Sequence, residues 1–294
     1  MRRKALVLEV LLLALFSISA CPAATLVVDL NGTGDFTDIQ SAIDAAEDGD
    51  TVLVKPGEYV IDEPINFNRL HNPDDPASPP VKNITLKSEG GADVTTIRMA
   101  ETPADPERAS VVIFENGEGN NGTLEGFTLS GGGRIGVLWQ RGGGIFCIGS
   151  SPTIKSCKIS GNLASGWCLG HGESPPSPCG EGGGVSCEGG SSPTLTNCTI
   201  SGNSANFGGG GVFCQGNSFP TLTNCTISGN SAIEGGGVCC EWGSSPTLTN
   251  CTISGNLGGA VYCSSSSPTF TSCIVWGNLG GSILTEGESH PIVT

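Results

Sequence analysis

Aromatic residues make up only 5 % of this 294-residue chain and charged residues only 14 %, well under the roughly 25 % charge of ordinary domains. The first shortage excludes a core built on large rings. The second is uneven: from Gly142 to Thr294 there is no Asp and no Arg, and the charged side chains there are seven Glu and two Lys. A surface so poor in charge must be made of Ser, Thr, Asn and Gly. Cationic residues are scarce throughout, 13 against 28 acidic ones, and the net charge of -15 disfavours nucleic acid and anionic membrane surfaces as partners. Long apolar runs are nearly lacking too. The one exception, Ala5 to Ile18 broken by Glu9, follows the basic Met1-Arg2-Arg3-Lys4 and ends in the small residues before Cys21, so residues 1–20 are expected to be a signal peptide. No later run approaches the 18 or so residues of a membrane span, and the mature chain, near -17, is expected at an extracellular or outer-membrane surface.

What the chain has in excess is Gly (46 residues) and Cys (14), and these recur with a period. The line from Gly182 to Asn203 returns from Gly209 to Asn230 and from Gly235 to Asn256, with looser copies from Gly142 to Asn162 and from Gly258 to Asn278. Cys157, Cys198, Cys225, Cys251 and Cys273 mark the copies at intervals of 41, 27, 26 and 22 residues, the longest holding an insertion at 163–181. Within each copy small polar and apolar residues alternate at period two, with Thr, Ile and Val prominent, which specifies short strands. One copy buries too little to stand alone. Stacked at about 4.8 Å, successive copies close each other's backbone hydrogen bonds and enclose a continuous interior of Val, Leu, Ile and Cys. Gly runs are expected at one corner of each turn. Asn197, Asn224 and Asn250 are expected at another as left-handed turn residues, with their amides bonding to the Asn above and below.

The fold expected is therefore all-β, a right-handed parallel β-helix of about eight turns with a short N-terminal capping helix. Ile39, Ala42, Ile43 and Ala46 share a helical face after the capping-box pattern Thr37 to Gln40, and such a helix would cover one open end. The divisions are residues 1–20 signal, 21–50 cap, 51–141 irregular turns with acidic and Pro-rich loops, and 142–294 regular turns. After Asn278 another turn begins without a closing element, which reads as a truncated end or one covered by another chain.

Ten cysteines form two columns, Cys147, Cys187, Cys214, Cys240 and Cys263 in one and the five marker residues in the other. Each shares parity with an inward Val or Ile, so free thiols stacked in the lumen are the first reading and bridges across it the alternative. Cys168 and Cys179, flanking three prolines in the insertion, are the expected disulfide, and Cys239 is left over as an outward, reactive thiol.

Gly34 to Ala46, followed by Gly49 to Tyr59, closely resembles the start of the catalytic β-helix in pectinesterases and other pectin-lyase-like proteins, which implies the same capped first turn. The repeats, such as Gly209 to Cys214 with Cys225 to Asn230, resemble in their grammar those of polymorphic outer-membrane proteins. Ile18 to Cys21 resembles the lipobox of bacterial lipoproteins, which implies lipidation of Cys21 as an alternative to ordinary cleavage.

Enzymes of the pectin-lyase-like type use Asp with calcium and a basic residue, or clustered Asp, and the regular half offers neither Asp nor Arg. Lys155 and Lys158 have no acidic neighbour in sequence and read as a solvated edge. Catalytic residues are thus expected to be absent. The alternative is a polysaccharide lyase working on the irregular turns with Glu125, Arg134 and Arg141, and only there would calcium be needed. No metal site is proposed: Asp29 to Asp35 opens like a calcium loop, but Gln40 stands where the closing Glu is required. The uncharged half instead puts Thr194/Thr196, Thr221/Thr223 and Thr247/Thr249 in register on consecutive turns. The expected partner of a flat, neutral hydroxyl array is a glycan or another cell-surface ligand in an adhesive, non-catalytic role, with ice binding as a further alternative.

Overall fold

A computed structural model describes residues 22–133, 135–138, 142–168 and 177–294. The expected signal peptide, Cys21, Arg134 and Arg141 lie outside the described residues. Three long parallel sheets run the length of the molecule. The first stacks ten strands from Thr25–Val28 to Ile292–Val293, the second eight from Gly57–Ile61 to Ile274–Trp276, and the third eight from Ile65–Asn66 to Ile283–Glu286. The chain visits them in that order, once per turn. Eight complete turns result, the number the repeats and their weaker upstream copies imply, in a three-sided parallel β-helix. Gly57–Ile61 is a full strand of the first turn that the sequence pattern did not mark, and Val112–Phe114 closes the second turn while Thr123–Glu125 opens the third.

Register is kept by identity. Leu195, Leu222 and Leu248 stack in the first sheet, Ile200, Ile227 and Ile253 in the second, and Val185, Val212 and Val238 in the third, all fully buried. A slip of one residue would turn each Leu or Ile out and its flanking hydroxyls in, so the alternation fixes the pairing. The two cysteine columns complete the lumen: nine of their ten thiols are buried, and Cys273 at the far end is half-buried. Burial raises the pKa of the Cys157 thiol to about 11, and the Cys198 thiol beside it, with burial, raises that of Cys225 to about 12.

The turn between the first two sheets is a single left-handed residue, Ser156, Asn197, Asn224, Asn250 or Ser272, with φ between 50° and 56°. Asn197, Asn224 and Asn250 thus have the backbone conformation expected, but their side chains are exposed and the amide ladder is elsewhere. It runs through the buried Asn162, Asn203, Asn230 and Asn256 to Asn278, one turn residue after the second sheet. Each Nδ2 donates to the next Oδ1 at 2.9–3.0 Å and to a carbonyl of the neighbouring turn, and each backbone N–H donates to the same Oδ1 at 3.0–3.1 Å. Facing the ladder is the last Gly of every triplet. A Cβ on Gly211 would meet Gly237 O at 2.6 Å and Asn230 Nδ2 at 3.0 Å, so the third glycine is there for close approach and not for φ.

At the N-terminal end a helix over Ile39–Ala45 buries Ile39, Ala42 and Ile43 against the first turn. Its N-cap is Asp38, accepting from Ser41 N at 2.8 Å, and not the Thr37 of the capping-box pattern. Gln40 turns away to pair with the backbone of Asn66 at 2.9 Å in both directions. The three donors of Lys82 close the helix C-terminus on the carbonyls of Ile43, Asp44 and Ala46.

Candidate functional site

Of the charges expected at a catalytic groove, Arg134 and Arg141 lie outside the described residues, and the charged side chains described around the irregular turns are mostly ion-paired. Glu125 lies on the outer face of the first sheet between Lys87 and Lys155 in register, and Lys87 Nζ is 2.8 Å from its carboxylate. Arg98 pairs with Glu58, Arg69 with Asp44, and Arg108 with Glu115 at 2.6 Å. Glu118, only 1 % exposed, accepts from Asn116 N, Ser150 Oγ and Asn68 Nδ2 and serves to fasten the irregular turns. Lys158, without an acidic neighbour in sequence, reaches Asp93 on a loop sixty-five residues away. The sequence near Asp29 makes an internal turn: the Thr33 hydroxyl and the amides of Asn31 satisfy the Asp29 carboxylate and hold it below the usual carboxylate range, with Lys55 at 3.5 Å. Among the described residues no three His, Cys, Asp or Glu side chains gather as a metal site. Cys179 is disulfide-bonded, while the side chain of Cys168 lies outside the described residues.

One group of residues escaped the sequence reading. On the outer face of the third sheet, Ser186, Phe213, Cys239, Tyr262 and Leu284 stack in one row, and Glu188, Gln215, Glu241, Ser264 and Glu286 in the next. Cys239 was expected to be outward and reactive; it faces away from the lumen, yet it is fully buried between Phe213 and Tyr262, with Gly208 against its sulfur. Burial and the neighbouring Glu241 push its thiol well above the ordinary value. Glu241 accepts from that thiol at 3.7 Å, and burial, then the nearby Glu234, raises its carboxyl. Glu234 is raised by burial and by Glu286. The signal was in the sequence all along: Glu188, Gln215 and Glu241 each directly follow a column cysteine, and Glu181 and Glu234 each directly precede a glycine triplet.

A neutral polar surface lies on the other two sheets. Thr194, Thr221, Thr247 and Thr269 form one outward column of the first sheet and Thr196, Thr223, Thr249 and Thr271 a second. Thr199, Thr226 and Thr252 with Ser201, Ser228 and Ser254 repeat the pattern on the second. These side chains are half-buried to exposed, and the columns are interrupted by no charge. The strand spacing repeats each hydroxyl at about 4.8 Å. Such an array can donate to and accept from a polyhydroxylated surface, and it supplies no acid, base or nucleophile.

The profile of the family described as "Right handed beta helix region" matches residues 112–294. A cell surface glycoprotein of Methanothermus fervidus is 30 % identical over 156 residues, covering 52 % of this chain and 21 % of that protein, so the chain spans about a fifth of that relative's length. Among solved structures, the deglycosylated pectin methylesterase of Aspergillus niger has a TM-score of 0.50 at 12 % identity, over 93 % of this chain and 84 % of that one. A pectate lyase has the same TM-score and identity, over 90 % and 78 % of the respective chains. At this identity the two likenesses speak to the fold alone.

Proposed function

The chain belongs to the right-handed β-helix family, and from that premise we propose that it is a cell-surface or secreted β-helix that binds neutral glycans without cleaving them. The observation that carries this reading is the set of in-register hydroxyl columns on turns five to seven, from Thr194 to Ser254, uninterrupted by charge. The acidity of the chain argues for a neutral partner over a uronic-acid polymer. The name of the Methanothermus relative supports a surface location. An outer-membrane placement and a lipid on Cys21 belong to the same proposal. The lyase alternative, with its calcium, draws no support from Glu125, whose carboxylate is neutralised by Lys87.

The test is native affinity electrophoresis in gels containing hydroxyethylcellulose, xylan or galactomannan. Retardation by at least one polymer is expected, reduced in the triple variant Thr196→Val, Thr223→Val, Thr249→Val, which removes hydroxyls while keeping shape, charge and strand propensity. No retardation of the wild type, or release of unsaturated product from polygalacturonate with calcium, would overturn the reading. Thermal hysteresis in the wild type would replace it with ice binding.

A further inference from the structure

One side chain has a cost that nothing inside the molecule offsets. Trp242 follows Glu241 at the corner between the third and first sheets, where the turns from the third onward place a left-handed residue: Gly149, Gly189, Gly216 and Gly287 take φ of 59° to 65°, and Ser265 takes 50°. Trp242 takes φ 51° and is 67 % exposed. A bulky residue there is strained, because its Cβ crowds the following carbonyl, and an exposed indole gains no burial in return. A strained, exposed Trp among only four in the chain points outward, to a partner.

The surroundings indicate its chemistry. On the preceding turn the same corner carries Phe219, 48 % exposed, where the next turn has Ser245, and Asn217, whose N–H donates to Trp242 O at 3.2 Å. The Asn217 amide oxygen lies 2.7 Å from where a Cβ on Gly243 would sit, so this polar group is held against the residue that follows Trp242. Two exposed aromatic side chains on adjacent turns, with Asn217 at the same corner and the threonine columns beginning at Thr221 and Thr247, suit the apolar face and hydroxyl edge of a sugar ring. Glu241 in the adjoining strand and Glu234 and Glu286 near it disfavour an anionic sugar, and turns five to seven contain no Lys or Arg to offset them.

We propose that Trp242 and Phe219 form an aromatic subsite that stacks on a neutral pyranose ring, at the edge of the hydroxyl face. The inference rests on the glycan reading above and adds to it the residues that anchor one sugar. Its test compares wild type, Trp242→Gly and Phe219→Ser in the same electrophoresis, with hydroxyethylcellulose, xylan and galactomannan as probes, alongside thermal unfolding. Gly and Ser already occupy these positions on neighbouring turns, so both variants fold. Trp242→Gly is expected to weaken affinity about tenfold while leaving the unfolding temperature equal or higher, and Phe219→Ser to weaken it by a smaller factor. Unchanged affinity in Trp242→Gly, with the threonine variant still impaired, would overturn the subsite and leave the glycan reading standing. A lowered unfolding temperature in Trp242→Gly would also overturn it, by showing a structural role. A wild type that no polymer retards would overturn the subsite and the glycan reading together.

Discussion

Replacing Asn230 by Ala tests whether the amide ladder is a structural spine. Asn230 is 1 % exposed, and its Oδ1 accepts from the backbone N–H and the Nδ2 of Asn203 while its own Nδ2 donates to Ile200 O and Asn256 Oδ1, all near 3.0 Å. Truncation leaves at least two donors of Asn203 without a partner inside the structure. At about 1–3 kcal/mol for each unsatisfied buried group, the loss is about 4 kcal/mol. For a chain of this size that lowers the unfolding temperature by about 8 to 16 °C. Asn278→Ala is the control: it removes the same acceptor from Asn256 at the last turn, but the site is half-exposed and water can replace it, so about 1 kcal/mol is expected. Thermal and urea unfolding followed by circular dichroism measure the difference. Equal losses at the two positions, or a loss under about 1 kcal/mol at Asn230, would refute the reasoning.

The thiols give a second check: among the eleven free cysteines described, only Cys273 should react with a thiol reagent at pH 8 before unfolding, and all of them after. Rapid native labelling of Cys239 would show that its cover is open. The same thiols set an alkaline limit. The pKa values of Cys157 and Cys225 are raised in the folded state, so their contribution to stability is complete below the unfolded value near 9 and is lost as pH rises toward about 11 for Cys157 and about 12 for Cys225. Each of the two should cost about 1 kcal/mol between pH 9 and 10, and a urea midpoint unchanged over that interval would contradict the buried, protonated columns. Finally, Gly211→Ala should destabilise more than Gly202→Ala, because the first meets backbone at 2.6 Å whereas the second has nothing within 4 Å and suffers only its φ of 63°. The reverse order in thermal unfolding would be inconsistent with the packing described.

The periodic part of the fold was legible because each turn repeats the same solution. Strands, lumen and thiol columns all follow from residues that alternate in parity and return at a fixed interval. The amide ladder was assigned to the wrong asparagines for the same reason. Asn197 and Asn203 recur with identical period, and only the turn geometry reveals that the left-handed backbone at Asn197 presents its amide to water while Asn203 points it inward. The partners of Lys158 and Glu125 were beyond reach, since Asp93 and Lys87 are brought to them by stacking and by loops without period. The carboxylate row on the third sheet was within reach, but it shows only when glutamates are sorted by their place in the turn. Trp242 shows the same limit: along the chain it follows a glutamate, and only the column of glycines it stands in reveals its strain.

Because the middle turns are nearly interchangeable, with Leu on Leu, Ile on Ile and an amide passed from each to the next, a whole turn can be gained or lost without disturbing either neighbour. The gene then holds a ruler with movable marks. Unequal recombination between copies would lengthen or shorten the rod in steps of one strand spacing, while every surviving copy keeps its contacts.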